Sequence, residues 1–199
     1  MSVPGIDFGT FSVASAFGSI PSGSTGTIKD LSFNGSTPLN VNMLLDSFLS
    51  FQANPNVRFD LTFIHLGVSG LAGCSASPPA PGQQCTPAVA ALVSPANPLG
   101  LSPYNFVNTG NGGSSLSINV DAVEVNNGVT TPFHGVFTTQ FNVPFQTILP
   151  NLGAGFPATF SATFLPETAV PEPTTMALLG TGLVGVAAKV RRRKKQSSI

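Results

Sequence analysis

Two histidines, a few carboxylates, two cysteines and a single tyrosine are the side chains of this 199-residue chain whose types could do chemistry. His65 closes the run from Val57, in phase with the apolar Val57, Phe59, Leu61 and Phe63, whereas His134 lies in the opposite phase from Phe133 and Phe137. Neither has a local partner motif, so each is expected to be a structural or exposed histidine, with no catalytic or metal role. An enzymatic reading would require His65 and His134 to meet carboxylates in one cleft. Asp60, Asp121 and Glu124 could coordinate calcium if brought together, but the sequence holds no D-x-D-x-D-G loop and solvated strand carboxylates are the commoner case. No G-x-S-x-G elbow, H-E-x-x-H helix or paired-carboxylate motif occurs. The expectation is a protein that is not an enzyme and has no catalytic residues, metal or cofactor.

Cys74 and Cys85 sit in a Pro/Gly/Ser-rich stretch without a nearby histidine, so a zinc site would lack ligands and a disulfide is expected in place of two free thiols. Such a bond belongs to an oxidising compartment. Tyr104, in an Asn/Gly-rich stretch with Asn105, Asn108 and Asn111, is the candidate ligand-binding residue. Sugar rings commonly stack on exposed Trp and Tyr, yet the chain has no Trp and one Tyr, and its 16 Phe mostly fall in core phase. Gly180-Thr181-Gly182-Leu183-Val184-Gly185 matches the dinucleotide fingerprint G-x-G-x-x-G, but no strand precedes it and too little chain follows for a βαβ unit. Those glycines read better as small residues allowing close helix contact in a membrane.

The elements that must position these residues are strands. Val57 to His65 alternates apolar and polar residues. Leu116, Ile118, Val120 and Ala122 alternate with polar neighbours before the phase flips to Val123 and Val125, as a β-bulge would produce. Asn126-Asn127-Gly128 supplies a turn, and Phe133, Phe137, Phe141 and Val143 lie on the return strand of a hairpin. Ala158 to Phe164 forms a last strand before Pro166, Thr27 to Phe33 and Phe48 to Phe51 are weaker candidates, and Phe145 to Leu152 is a short helical turn. Short strands with Gly/Pro/Asn turns and no long amphipathic helix among them predict an all-β fold, an antiparallel β-sandwich, over residues 1–166. The stretch 70–103 is a long Cys-containing loop, either functional or flexible.

Charged residues make up only 8% of the chain, far below the roughly 25% usual for soluble domains, as in many neutral, turn-rich exported β proteins. Six of the eight basic residues lie at Lys189, Arg191, Arg192, Arg193, Lys194 and Lys195. Against Lys29 and Arg58 stand all eight acids, so the body is negative, which argues against nucleic-acid binding.

From residue 167 onward the organisation changes. Val170-Pro171-Glu172-Pro173 precedes an apolar, Gly-containing segment at about 174–190 and a basic run, Arg191 to Lys195. As a helix the segment is about 25 Å long, at the short limit for a single transmembrane helix, with Lys189 snorkelling to the edge. The positive-inside rule keeps the basic run in the cytoplasm and places the rest outside, N-out and C-in. This arrangement resembles the PEP-CTERM sorting signal recognised by exosortase, a membrane protease of Gram-negative bacteria that make extracellular polysaccharide. The resemblance implies that Pro171, Glu172 and Pro173 form the recognition element, that the inner membrane holds the chain transiently, and that the tail is removed before release to the cell surface. A plain, uncleaved tail anchor is the alternative. Met1 to Asp7 shows neither a basic nor an apolar signal region, so an in-frame extension encoding a signal is expected upstream of Met1.

The upstream domain is similar to uncharacterised extracellular domains found before such signals, chiefly at 25–31, 59–62 and 135–141, and no activity comes with that similarity. The same kind of C-terminal domain carries the name of ice-binding proteins. Ice binding does not follow from a sorting signal, and no regular threonine ladder is evident. The leading expectation is therefore a non-enzymatic surface or extracellular-matrix protein, with an extracellular polysaccharide-binding module as the alternative.

Overall fold

The computed structural model describes residues 6–15, 20–33, 37–154 and 158–167. All of these belong to one compact unit, Met1–Glu167; the sorting motif 170–173, the apolar span at about 174–190 and the tail 191–195 lie outside the described residues. Nine strands are present among them: β1 (Gly9–Ser12), β2 (Thr25–Ile28), β3 (Leu45–Phe51), β4 (Val57–Ile64), β5 (Gln84–Cys85), β6 (Asn105–Asn108), β7 (Ser114–Asn126), β8 (Val129–Phe141) and β9 (Phe160–Pro166). One short helix, α1 (Phe145–Ile148), runs into a 3₁₀ turn at Leu149–Ala154, the helical turn expected there. Among the described residues no helix is long and apolar enough to cross a membrane.

The fold is mostly β and antiparallel throughout, but its strands make one sheet where two facing sheets were expected. The order runs β1-β2-β3-β4-β7, with β8 and then β9 beyond β7. The long β7 is the spine: β4 pairs with Val120 to Asn126 on one edge, β6 with Ser114 to Ser117 on the same edge, and β8 with the whole of the other. A single sheet can still enclose a core if it curls, and phenylalanine rings close this one. Phe8, just before β1, stands 4.9 Å from Phe137 of β8 and 5.2 Å from Phe160 of β9. The two ends of the strand order thus share one apolar cluster, giving a half-barrel in which strand twist accumulates until opposite margins meet.

The hairpin behaves as its turn chemistry dictates. Asn127 and Gly128 take φ of 50° and 85°, the positive pair that a two-residue turn between right-twisted strands demands. The resulting β7–β8 ladder is unbroken from Asn126↔Val129 to Ser114↔Phe141, so the bulge expected near Val123 is not in β7. It lies instead on β4, where the register against β7 shifts between Leu61 and Phe63. Inward alternation therefore continues through β7 to Glu124, whose half-buried carboxyl is pushed up by desolvation from its ordinary 4.5. A raised folded value favours the neutral acid, so the associated stability is present below 4.5 and fades as pH climbs through the folded value. Glu124→Gln should flatten that decline in a melting-temperature series against pH. An unchanged slope would remove Glu124 as its source.

The stretch 70–103 is built into the structure. It contains 3₁₀ turns at Ala72–Ser75 and Ala90–Leu92, strand β5, and the Cys74–Cys85 disulfide. Cys85, Val89 and Leu92 join the main core. Asn97, 1% exposed, ties the far end by donating from Nδ2 to the Leu101 carbonyl (2.8 Å) and accepting from the Leu101 N–H (2.9 Å). Buried amide side chains thus supply hydrogen bonds that a strand ladder would otherwise provide.

Candidate functional site

The β4 bulge assembles the most chemically suggestive group of residues. Up to Leu61 the odd positions of β4 face inward; the extra residue at Thr62 inverts the phase, so Ile64 is fully buried and His65 turns outward. Phase counting alone put His65 on the apolar face, and the shift of one residue is the physical reason it is not there. Asp121 of β7 lies between buried Val120 and Ala122, and His134 of β8 between buried Phe133 and Gly135, so both also point outward. Asp121 and His134 are direct cross-strand partners, while the His65 N–H donates to the neighbouring Asn119 carbonyl at 3.0 Å.

Three adjacent strands therefore bring two imidazoles to one carboxylate. His65 Nε2 lies 2.9 Å from Asp121 Oδ2, and His134 Nδ1 lies 2.9 Å from Asp121 Oδ1. The rings stand 5.7 Å apart, and the Phe63 ring packs against His65 at 4.8 Å. Partial desolvation would raise the Asp121 carboxyl, but the hydrogen bonds from His134 and His65, with the charge those rings carry when protonated, outweigh it and hold the group below its usual value. Both histidines, which have no partner motif nearby in sequence, thus share one carboxylate, the meeting that an enzymatic reading would require. They meet on the outer face of the sheet, with side chains 39% and 42% exposed. Two imidazoles and a carboxylate in this spacing can exchange a proton or chelate a cation.

The three acids weighed for calcium do not converge. Asp60 is buried and accepts from the Ser47 N–H (2.6 Å) and Arg58 Nε (2.9 Å), supporting β3 where Ser47 takes a positive φ of 51°. Glu124 lies on the opposite face of β7 from Asp121.

Tyr104 is not at the surface. It is 3% exposed, packed edge-on against Phe33 at 6.0 Å, and its hydroxyl pKa is driven upward by burial. Asn105 and Asn108 are likewise structural: Asn105 Oδ1 accepts from the Val68 N–H (2.7 Å), and Asn108 Oδ1 accepts from the Phe145 N–H (3.0 Å) at the start of α1. Only Asn111 of that group is exposed. A cavity of about 570 Å³, whose lining includes neither histidine nor Asp121, is walled mainly by apolar residues, including Ile6, Phe8, Ile118, Phe137 and Phe160, and Tyr104 contributes to its wall.

Residues 169–193 match the family model of the PEP-CTERM protein-sorting motif. This span contains Pro171, Glu172 and Pro173 together with Arg191 to Arg193. No curated protein and no solved structure matches the chain.

Proposed function

We propose that this chain, which carries a PEP-CTERM sorting motif at residues 169–193, is an exosortase substrate whose folded domain serves a non-enzymatic structural or interaction role at the cell surface or in the extracellular matrix. The sorting motif is the observation that carries this reading. A PEP-CTERM signal implies membrane-associated sorting followed by export to the surface. In the orientation proposed, the apolar span near 174–190 holds the chain N-out in the inner membrane, with Arg191, Arg192, Arg193, Lys194 and Lys195 in the cytoplasm. The Cys74–Cys85 disulfide suits an oxidising destination, and the low charge suits a neutral extracellular surface. Binding of extracellular polysaccharide through Tyr104 loses its support, because a ring that is 3% exposed cannot offer a face to a sugar.

The test is the intact mass of the extracellular form. It should lack Arg191 to Ile199, with an exosortase-like protease recognising Pro171 to Pro173 at the outer face. Replacing Arg191 to Lys195 by neutral residues removes the topological determinant, so membrane retention should fail and unprocessed protein should escape. An extracellular species still carrying its basic C-terminal peptide would refute processing and leave an uncleaved anchor.

A further inference from the structure

We propose that His65, Asp121 and His134 form a surface site for one divalent transition-metal ion of the zinc, nickel or copper kind. The donor set is the first reason. Two neutral imidazoles and a carboxylate suit borderline first-row ions, whereas calcium and magnesium prefer all-oxygen shells. Geometry is the second. One ligand atom from each residue lies within 4.8 Å of the others, against about 3.4 Å between donors around a tetrahedral ion with bonds near 2.1 Å and about 4.2 Å for donors across an octahedral one. Small side-chain rotations close that gap, and the outer face leaves them room. An ion would replace the two existing hydrogen bonds to Asp121 with coordination, using an imidazole nitrogen from each ring.

Rigidity is the third reason. The ligands come from three hydrogen-bonded strands, one of them placed by a bulge, and Phe63 backs the His65 ring. Ligands mounted on a sheet lose less entropy on binding than ligands on loops. With three protein ligands on an open face, the remaining coordination positions fall to water or to a group from another molecule. The acidic body, with Lys29 and Arg58 its only basic residues before the C-terminal cluster, favours cation approach.

The experiment uses the full-length chain without a purification tag, freed of metal by chelation and titrated with zinc chloride in a calorimeter, with cobalt(II) absorbance as a second probe. One equivalent should bind saturably, and excess magnesium or calcium should not displace it. His65→Ala, His134→Ala and Asp121→Asn should each weaken binding by about tenfold or more, since each removes one of three ligands. Because the chain has only 2 histidines, proton NMR of the unmodified protein reads the site directly, and zinc should shift both imidazole signals together. That arm remains decisive if a variant folds poorly. Absence of saturable binding, binding unchanged in the variants, or unshifted histidine signals would each overturn the proposal.

Discussion

Phe137→Ala should lower the melting temperature by roughly 6–20 °C, the consequence of about 3–5 kcal/mol lost when a buried phenylalanine is truncated in a domain of this size. The position matters more than the residue type. Phe137 is 3% exposed on β8 and meets Phe8 at 4.9 Å, Phe164 at 5.6 Å, Phe48 at 5.9 Å and Phe160 at 6.1 Å. Those partners come from the segment before β1, from β3 and from β9, so one ring joins the two margins of the curled sheet to its middle. Edge-on and tilted contacts of this kind add stabilisation beyond the area they bury. Phe137→Leu should lose less, because it retains most of the volume but none of the ring geometry. Leu165→Ala, at a residue 61% exposed on the outer side of β9, should change stability by less than about 0.5 kcal/mol. Equal melting temperatures for the Phe137 and Leu165 alanine variants would mean that the sheet margins are not held together through Phe137.

The long strands were legible because their signal is local. Val57 to His65, the β7–β8 hairpin with its Asn-Gly turn, the final strand before Pro166 and the helical turn near Phe145 all appear close to where alternation and turn residues put them. The two-residue β5 and the short β1 and β6 carry too few residues for a period to show. Whether strands form one curled sheet or two packed ones depends on which edges pair, and alternation is identical in both. For the stretch 70–103 composition left a functional and a flexible loop both open; its Pro, Gly and Ser carry no period that would show Cys85, Val89, Leu92 and Asn97 to be buried.

The histidine group was hidden by a single inserted residue. Phase counting through Thr62 assigned His65 to the core side, and the apparent phase change at Val123 drew the bulge to the wrong strand of the pair. In fact Val123 and Val125 are half-buried residues on the outer face of an unbroken β7, while β4 absorbs the irregularity. Sequence shows that two alternating runs disagree in phase by one position. It does not show which strand bulges, because that depends on which choice buries Ile64 and Val120 side by side. Tyr104 failed as a ligand residue for a related reason: the neighbouring Asn and Gly residues suggested an exposed loop, but Tyr104 is buried and the side chains of Asn105 and Asn108 are engaged with the backbone N–H groups of Val68 and Phe145.

Reducing the Cys74–Cys85 disulfide should destabilise the domain by about 3 kcal/mol, or roughly 6–12 °C in melting temperature, if the cross-link acts mainly by restricting the unfolded chain. The separation of 11 residues makes a short loop, so its closure entropy is modest, and the larger issue is what the bond fastens. Cys74 lies in the turn Ala72–Ser75, and Cys85 is fully buried in β5 opposite Phe106 of β6. The turn rests on the backbone of β5 so closely that a Cβ on Gly73 would collide with the Gln84 carbonyl oxygen. The bond thus cross-links a segment that supplies Cys85, Val89 and Leu92 to the shared core, and the loss on releasing it should appear in the cooperative transition of the whole domain. Thermal melts with and without dithiothreitol, repeated on Cys74→Ala/Cys85→Ala, separate the cross-link from the reductant. A variant that melts with the oxidised protein, within about 1 °C, would show that the close packing of the turn holds this segment without help from the disulfide.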